Sequence, residues 1–470
     1  MRGFEEYRGY KTRVAFDVEA GRFCNVPLVE ARENASPYPV DVQAKFQTVL
    51  ARVKVAHENH LGYPYNLDFS PGVPAMLGNH LINNLGDPYA GSHYASEVCD
   101  LEREAIDWLK SLWRCDDTEN YWGSIGASGT EGNLWGIYLG REALHEAVLL
   151  HSDEAHYSIP KAARLLRMDA RSVSCTANGA IDLDAFTTTL EGLKGSTVIV
   201  ALTSGTTMKG AHDDIAGVIT RLDAAGISKS RRYIHIDGAL NAMVLPFVTE
   251  APFRIQPSFK HDIDSISTSG HKMIGTPMPC GALICKRDHV KRVATAIAYL
   301  RSNDTTLMGS RNGHAVLAIW SRFFSHGMEG YRLDVQACIK RAHSLSYQLR
   351  AFGVPTLLNE YSLTVVFPQP SENIVKTYQL ACHQGNAHAI VMPNVTDSLL
   401  QKFVEDFKKD WQSLQRAKSI VNSQSLALSA MAQACLTARH TSRAEPKDGH
   451  SNPVAPREEG HRSSANGTLS

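Results

Sequence analysis

The sequence has few cysteines, and none of them has the spacing of a disulfide framework or a zinc site. Nine cysteines are scattered over 470 residues, and no CxxC pair occurs. An odd number without paired spacing predicts reduced thiols in an intracellular protein. The segment HENH (His57–His60) is not HExxH, and no Cys/His cluster has metal-ligand spacing, so we predict no metal site.

An excess of charge of one sign and long apolar runs are also missing. Lys+Arg and Asp+Glu both number 48, so the net charge is zero with His neutral. This balance gives no attraction to nucleic acid or to an anionic membrane surface. No apolar run approaches the ~20 residues of a membrane-spanning helix. The N-terminal segment MRGFEEYRGYKTR lacks the apolar core of a secretory signal. We therefore expect a cytoplasmic protein without nucleic-acid or membrane partners.

The sequence does contain a regular alternation of short apolar runs with helical patterns. STVIVALTSG and RRYIHIDGAL are two of the apolar runs, and DDIAGVITRLDAAG is one of the helical patterns. This alternation predicts an α/β fold with a mostly parallel sheet that is covered on both faces. CGALICKR (Cys280–Arg287) follows only a short GTPMP connection, which favours an antiparallel strand at that point.

These patterns divide the chain into four predicted parts. Residues 1–89 form a mostly helical N-terminal segment, and residues 90–300 form the large α/β domain. Residues 301–430 form a smaller α+β C-terminal domain with strands at TVVFPQP and HAIVMPN. Residues 431–470 are polar and nearly devoid of large apolar side chains, so they cannot bury enough surface to order themselves and predict a disordered tail.

Two glycine-rich turns follow predicted strands, where ligands of open α/β sheets bind. Gly126–Thr130 leads from a strand into a helix, and its small residues with free helix N–H groups suit a phosphate. Gly205–Gly210 is a second such turn. Neither segment matches GxGxxG or the Walker A loop, which argues against a nucleotide. Taken alone, each segment is either a plain tight turn or a ligand loop.

Three further strand ends carry a side chain that could take part in catalysis or ligand binding. His156 follows a strand, and its ordinary interpretation is a buried histidine with satisfied hydrogen bonds. Asp237 ends the strand YIHID, and it could serve only as a helix cap. Lys272 ends a third strand within STSGHKMIGTPMPCG. Surface lysines are common, but Gly270, Gly275 and the neighbouring histidine argue against that interpretation of Lys272.

Together, these strand ends supply the groups that pyridoxal phosphate requires. Its phosphate binds at a helix N-terminus, and its aldehyde forms a Schiff base with a lysine. Its pyridine nitrogen needs a carboxylate to stay protonated, and a flat side chain covers one face of the ring. We therefore predict pyridoxal 5'-phosphate as the cofactor and Lys272 as the Schiff-base lysine.

The sequence resembles the group II pyridoxal-phosphate-dependent amino acid decarboxylases, in particular the histidine decarboxylase and plant serine decarboxylase branch. The resemblance extends from Gly62 to Ala315 and continues more weakly beyond. It is carried by these segments: GYPYNLDF, INNLGDPY, GASGTEGNLWGIYLGRE, HYSIPKAARLL, TSGTTMKGAHDDI, HIDGALNAM, STSGHKMIGTPMPCG and MGSRNGHA. It implies the fold-type I architecture, similar to aspartate aminotransferase, and an obligate homodimer with active sites at the interface.

The resemblance also implies a role for each site residue. Lys272 would form the Schiff base, Asp237 would pair with the pyridine nitrogen, and His156 would stack on the ring; these three are the catalytic candidates. The remaining cofactor contacts would be Gly129, Thr130, Ser269 and His271 at the phosphate, Thr206 near the 3′-oxygen, and Ala239 beneath the ring. The Tyr65–Asn66 region would lie near the substrate or reach a partner's site.

The implied reaction is decarboxylation of an L-amino acid to the amine and CO2. Histidine is the first-choice substrate, and serine, methionine or a branched-chain amino acid are the alternatives. An aminotransferase, an aldehyde-forming enzyme and a non-catalytic scaffold would keep the same cofactor residues. The segment Ala298–His314, with Tyr299 as its only tyrosine, is either a connector or a mobile loop that closes over the site.

Overall fold

The computed structural model describes residues 14–17, 22–25, 40–69, 72–299 and 302–417. The described residues fall into two units, and the boundary lies between Trp411 and Gln412. In the second unit the described residues, 412–417, are helical. The predicted tail 431–470 lies outside the described residues, and the four-part division of the chain remains a prediction.

The described residues form the following elements. The strands are β1 (Val14–Asp17), β2 (Arg22–Asn25), β3 (Asn83–Leu85), β4 (Tyr121–Gly126), β5 (Val148–Ser152), β6 (Ala170–Val173), β7 (Val198–Thr203), β8 (Arg232–Asp237), β9 (Ser265–Ser269), β10 (Gly281–Lys286), β11 (Thr295–Ile297), β12 (Ser302–Asp304), β13 (Ser310–Asn312), β14 (Leu357–Leu358), β15 (Thr364–Pro368), β16 (Ala381–His383) and β17 (Asn386–Ile390). The α-helices are α1 (Val40–Glu58), α2 (Cys99–Leu112), α3 (Gly129–Ala143), α4 (Ser158–Leu166), α5 (Leu183–Glu191), α6 (Ile215–Ala224), α7 (Arg287–Lys291), α8 (Gly313–Ala351), α9 (Glu372–Tyr378) and α10 (397–411). Short 3-10 turns lie at Val73–Leu77, Thr118–Asn120, Lys229–Arg231, Asn241–Met243, Leu245–Phe247 and Phe253–Ile255, and a π-helical turn lies at Gly270–Ile274.

A seven-stranded sheet with the order β4-β10-β9-β8-β7-β5-β6 forms the centre of the fold. All of its strands run parallel except β10, which is antiparallel to both of its neighbours. The predicted α/β class and the antiparallel strand at CGALICKR are therefore confirmed. The pairing Thr203–Asp237 and Asp237–Ser267 aligns the carboxyl ends of β7, β8 and β9 at one edge.

Alternating side chains of the central strands enter two different apolar cores. Val198, Val200 and Leu202 of β7 belong to the larger core, whereas Ile199 and Ala201 belong to the smaller one. Successive side chains of a strand point to opposite faces, so the sheet is buried on both sides. This explains why the sequence of β7 is a continuous apolar run and not an alternation of apolar and polar residues.

A second, four-stranded antiparallel sheet has the order β14-β15-β17-β16. Its strands β15 and β17 lie at the predicted runs TVVFPQP and HAIVMPN, although β17 begins at Asn386 and ends at Ile390. The long helix α8 is interrupted at Gly327, whose φ of 67° is in the left-handed region that favours glycine. Among the described helices, none is long and apolar enough to cross a membrane.

The segment Ala298–His314 contains two short strands. Strand β12 pairs with β11 as an antiparallel hairpin, and β13 pairs with β3. Tyr299 is 84% exposed in the turn of this hairpin. The Thr305 hydroxyl donates a hydrogen bond to Asp87 (2.7 Å), so the part of the segment beyond the hairpin is attached to the rest of the fold.

Candidate active site

A cavity of about 360 Å³ lies at the carboxyl edge of the central sheet and at the N-terminus of α3. The structure brings all nine predicted site residues together around it. These residues are Gly129, Thr130, His156, Thr206, Asp237, Ala239, Ser269, His271 and Lys272. They come from segments as far apart as residues 129 and 272, and the parallel order of the strands places them at one edge.

The N-terminus of α3 forms one end of the cavity. Ser128 caps the helix by accepting a hydrogen bond from the Glu131 N–H (3.2 Å), and Glu131 accepts one from the Ala127 N–H (2.6 Å). The N–H groups of Gly129 and Thr130, in the first turn, have no intrahelical acceptor. These groups and the positive end of the helix dipole form an anion site.

Gly129 also leaves the space that this anion site needs. A Cβ atom at residue 129 would overlap the Ser269 hydroxyl and lie 3.4 Å from the Ala239 methyl group. Only glycine lets the start of α3 come this close to the end of β9. The small side chains in the predicted phosphate loop are therefore a steric requirement of this contact.

Asp237 ends β8 and is 4% exposed. Its Oδ1 accepts the N–H of Ala239 (3.1 Å), and its Oδ2 accepts the Nδ2–H of Asn133 (2.8 Å). The nearest downstream turn of helix, Asn241–Met243, has Leu240 as its N-cap. Asp237 therefore does not cap that turn, so a helix-capping role does not explain why an acidic residue stands at this position.

Lys272 lies in the π-helical turn that follows β9, with non-helical φ and ψ of −92° and −123°. Burial lowers the pKa of its ammonium group, and the nearby Asp237 carboxylate opposes this shift. Asn66 is buried behind the turn and donates a hydrogen bond to the carbonyl of Met273 (3.2 Å). The Tyr65–Asn66 region was expected near the substrate. Tyr65 lines the cavity, whereas Asn66 supports the π-helical turn that contains Lys272.

His156 lies between β5 and α4. Its Nδ1 accepts the N–H of Ser158 (3.2 Å) and is 2.7 Å from the Ser158 hydroxyl. Burial lowers the pKa of His156, while Asp237 raises it. The ring is therefore held in place by Ser158 and is favoured in its neutral form.

Thr206 and His271 complete the cofactor side of the cavity. The Thr206 hydroxyl accepts the N–H of Ala211 (3.0 Å) inside the turn Gly205–Gly210. His271 has its pKa lowered by burial and by Lys272, and its buried Nδ1 has no partner among the described residues. An unpaired buried polar atom at a cavity wall indicates a group that a ligand satisfies.

The part of the cavity wall that lies outside the central sheet has two further components. An aromatic stack contains His60, Tyr63 and Tyr65, with the Tyr65 ring 5.7 Å from the His271 ring. The second sheet contributes four side chains that the sequence analysis did not identify. They are Thr364, Ala381, His388 and Ile390. No motif marks these residues, because they lie in ordinary short strands far along the chain.

The donor set fits pyridoxal phosphate. The cavity contains the amine of Lys272, the buried carboxylate of Asp237 with two neutral donors, three imidazole rings and the N-terminus of α3. The buried hydroxyl of Thr203 at the cavity wall and the Nδ1 atom of His271 have no partner among the described residues. This combination suits a small flat cofactor that has both a phosphate and a basic ring nitrogen.

Comparison with known proteins agrees with the geometry. The family described as "Pyridoxal-dependent decarboxylase conserved domain" matches residues 41–368. The chain belongs to this family. The decarboxylase is 44% identical over 350 residues to serine decarboxylase 1 of Oryza sativa subsp. japonica, covering 74% of this chain and 72% of that protein. It is 38% identical over 355 residues to a histidine decarboxylase of Solanum lycopersicum, covering 75% and 84%.

A solved structure gives the fold of the decarboxylase. L-methionine decarboxylase from Streptomyces sp.590 superimposes with a TM-score of 0.72 at 23% identity, covering 82% of this chain and 99% of that one. The decarboxylase is therefore a fold-type I enzyme that uses pyridoxal phosphate to decarboxylate an amino acid. The predicted family, fold class, cofactor and carboxy-lyase activity are confirmed.

Proposed function

We propose that the decarboxylase acts on L-serine and that L-histidine is the second candidate. The 44% identity to a serine decarboxylase, against 36–38% to histidine decarboxylases, supports this order. It differs from the order that the motifs alone suggested, in which histidine came first. The main support for the proposed catalytic roles is that Lys272, Asp237 and His156 lie around one cavity.

In this proposal Lys272 holds the cofactor through its side-chain amine. Its lowered pKa increases the fraction of neutral amine, which is the nucleophilic form. Asp237 would pair with the pyridine nitrogen and keep it protonated. Pyridoxal phosphate, when bound, accepts into its ring the electron pair that the departing carboxylate leaves at Cα. His156 would cover one face of the ring, and Ser158 fixes the orientation of the imidazole.

The phosphate group would be held mainly at the N-terminus of α3. Gly129 and Thr130 offer their N–H groups, and Ser269 and His271 offer side chains from the adjoining strand end. Thr206 would contact the 3′-oxygen, and Ala239 would lie beneath the ring. The substrate's side chain then docks against the wall outside the central sheet, which contains the Tyr63 and Tyr65 rings and the four residues of the second sheet.

The segment Ala298–His314 closes over the site in this proposal, and it must release several contacts to do so. The Asn303 carbonyl accepts a hydrogen bond from the Asp87 N–H (3.4 Å). Thr305 is attached to Asp87, and Arg311 is paired with the buried Glu102. Tyr299 does not line the cavity of its own chain. It acts as a proton donor only if the β11–β12 hairpin moves or reaches a partner's cavity.

We propose that the decarboxylase is a homodimer and that α1 lies in the interface. Four apolar side chains with the helical spacing i, i+3, i+4 and i+7 are exposed on one face of this helix. They are Phe46, Val49, Leu50 and Val53. An apolar stripe of this kind on a surface helix needs a covering partner. The partner in this proposal is a second copy of the chain.

The oligomeric state tests the dimer proposal. Phe46→Glu should convert the dimer to a monomer in sedimentation velocity experiments. Val55→Glu is the matched control, because Val55 is also exposed but lies about 180° around the helix from Phe46. A monomeric wild-type protein, or equal dissociation by both variants, would contradict the proposal.

We also propose a cytoplasmic location. Its support is that the seven described cysteines are unpaired thiols, five of them buried. A reducing compartment keeps such thiols free. Fractionation of cells that express the chain tests this part.

Product analysis tests the reaction and its substrate. Purified protein with pyridoxal phosphate is incubated with single L-amino acids, and the products are identified by mass. Serine should give 2-aminoethanol and CO2 at the highest kcat/KM, with histidine next. Carbonyl products would indicate an aminotransferase or an aldehyde-forming enzyme, and no product from any amino acid would indicate a scaffold. Lys272→Ala is the negative control.

A further inference from the structure

We propose that Asn133 is a positioning residue of this decarboxylase. It keeps Asp237 in its negatively charged form and directs the Ser158 hydroxyl toward His156. The inference rests on the proposed roles of Asp237 and His156. Asn133 lines the same cavity and is 1% exposed. It lies within the segment GASGTEGNLWGIYLGRE, but the sequence assigned it no role.

Asn133 uses all four of its hydrogen-bonding positions inside the protein. Its Nδ2 donates to Asp237 Oδ2 (2.8 Å) and to the Ser158 hydroxyl (2.9 Å). Its Oδ1 accepts from the Ser267 hydroxyl (2.6 Å) and is 3.0 Å from His235 Nε2. A side-chain amide has two donor hydrogens and two acceptor lone pairs, so this residue is fully satisfied.

The charge of Asp237 determines which way the amide points. An ionised carboxylate only accepts hydrogen bonds. A flipped Asn133 would place its oxygen against Asp237 Oδ2 and its amino group against Ser267 and His235. The first of these contacts would be between two acceptors, and it would cost the desolvation of a buried charge. The observed orientation is therefore the stable one.

The orientation of the amide in turn fixes the protons of the groups behind it. His235 must donate from Nε2 to Asn133, so its Nδ1 accepts from the Ser265 hydroxyl (2.8 Å). The Tyr233 hydroxyl donates to Ser265 (2.9 Å). Burial lowers the pKa of His235 to about 4, which keeps this ring neutral at physiological pH. Asp237 is thus the charged end of an otherwise neutral chain.

The second amide hydrogen acts on His156. Because Ser158 Oγ accepts from Asn133, its own hydrogen is free to donate to His156 Nδ1 at 2.7 Å. The Ser158 N–H also donates to this atom. Nδ1 therefore carries no proton, and the proton of the neutral ring is on Nε2. One amide thus acts on both of the groups proposed to contact the cofactor ring.

Glycines along α3 bring Asn133 close enough for these contacts. A Cβ atom at Gly132 would lie 2.8 Å from Ser267 Cβ, and one at Gly136 would overlap the His235 ring. At Gly140 it would lie 2.9 Å from the Tyr233 ring. The helix therefore packs directly on β8 and β9, and a short amide spans the gap. In the sequence, the regularly spaced glycines of α3 are the feature that indicates this close packing.

The role of the donated hydrogen bond is to favour the charged form of Asp237 over the neutral acid. Hydrogen bonds to a carboxylate stabilise the ionised form. If this bond is lost, Asp237 competes more strongly for the proton that the pyridine nitrogen must keep. The expected consequence is a loss of turnover with little change in substrate affinity.

Asn133→Asp tests the inference, because it keeps the shape of the side chain and the oxygen that faces His235 and Ser267. It replaces the donor by an oxygen 2.8 Å from Asp237. Two carboxylates at this distance cannot both be ionised, so one proton stays between them. We expect kcat to fall about ten- to a hundredfold, with KM changed less than about threefold.

The readout that a merely structural role would not change is the protonation of the cofactor nitrogen. Apoprotein is reconstituted with pyridoxal phosphate labelled with 15N in the ring, and the ring 15N chemical shift is measured. The wild type should show a protonated nitrogen, and Asn133→Asp should show a shift toward the unprotonated value. Asn133→Leu removes the donor without adding a charge, and it should change the signal in the same direction.

Tyr233→Phe is the matched control, because it removes one buried hydrogen bond at the far end of the same chain of contacts. It should leave the 15N signal and kcat within about twofold of the wild type. If both Asn133 variants keep the wild-type signal and kcat, or if Tyr233→Phe matches them, the inference is wrong. A wild type whose ring nitrogen is unprotonated would instead contradict the proposed role of Asp237.

Discussion

The buried ion pair between Arg311 and Glu102 offers a quantitative test of how the site is supported. The Glu102 side chain is fully buried, and that of Arg311 is 2% exposed. Glu102 also accepts hydrogen bonds from Asn84 Nδ2 (2.8 Å) and from the Ile125 N–H (2.8 Å). Arg311 also donates to the carbonyls of Ile125 (3.3 Å) and Gly86 (3.1 Å).

Replacing Arg311 by methionine keeps much of its volume and removes its charge. The Glu102 carboxylate then remains buried with two neutral donors, and an uncompensated charge of this kind costs about 3–5 kcal/mol. Two carbonyls also lose a donor, which places the expected loss of unfolding free energy toward the upper end of that range. Ile125 directly precedes Gly126 and the helix start at Gly129. We therefore also expect weaker binding of pyridoxal phosphate.

Urea unfolding of the apoprotein, followed by tryptophan fluorescence, measures this loss. Lys376→Ala is the control, because Lys376 forms an exposed pair with Glu372 (3.3 Å) that should contribute no more than about 0.5 kcal/mol. The double variant Glu102→Gln/Arg311→Met should lose less unfolding free energy than the sum of the losses of the two single variants, because it contains no unpaired buried charge. A loss below about 1 kcal/mol for Arg311→Met, or full additivity, would refute the reasoning.

Four further predictions follow from the site and its surroundings. Borohydride reduction and peptide mapping should place the pyridoxyl group on Lys272, and Lys272→Ala should have almost no turnover; a label on another lysine would contradict this assignment. Asp237→Asn should fold but lose most activity, and near wild-type turnover would mean that the carboxylate has no role at the ring nitrogen. Deleting residues 302–306 should leave cofactor binding intact while amine yield falls and aldehyde by-product rises, and unchanged products would mean that the segment is only a connector. Because burial lowers the pKa of His235 to about 4, the unfolded state binds a proton before the folded state does as the pH falls. The unfolding free energy should therefore decrease by up to about 3 kcal/mol between pH 6.5 and 4, and His235→Gln should have a smaller pH slope.

The cofactor side of the site was predictable because its requirements are local. Gly129, Asp237 and Lys272 each stand at or just beyond the end of a predicted strand, and each has a residue type that few ordinary strand ends need. The parallel sheet then brings such positions to one edge without further information. Lys272, Asp237, His156 and the turn Gly126–Thr130 could therefore be predicted from local sequence. The roles of Thr206, Ala239, Ser269 and His271 were implied only by the family resemblance.

Contacts between distant buried polar side chains could not be predicted in this way. Arg311 and Glu102 are separated by 209 residues, and Asn133 and Asp237 by 104. Each of these residues alone resembles an ordinary helix or strand residue. Their pairing depends on how α2, α3 and β13 pack, which a single sequence does not reveal. The hairpin β11–β12 was missed because its strands have only three residues each.

The two sides of the cavity differ in how strictly the reaction limits the residue types that can line them. On the side of the central sheet, an amine, a carboxylate and free N–H groups are required, and few residue types supply each of them. On the side formed by the second sheet, Thr364, Ala381 and Ile390 need only match the shape and polarity of a substrate side chain, and many combinations can do so. His388 is constrained further, because its ring nitrogens contact the carbonyls of Met208 and Gly62 (3.1 Å each). The reaction can therefore be read from motifs, whereas the substrate cannot. It follows that exchanging residues of this second side should change the preference between serine and histidine while cofactor binding stays intact.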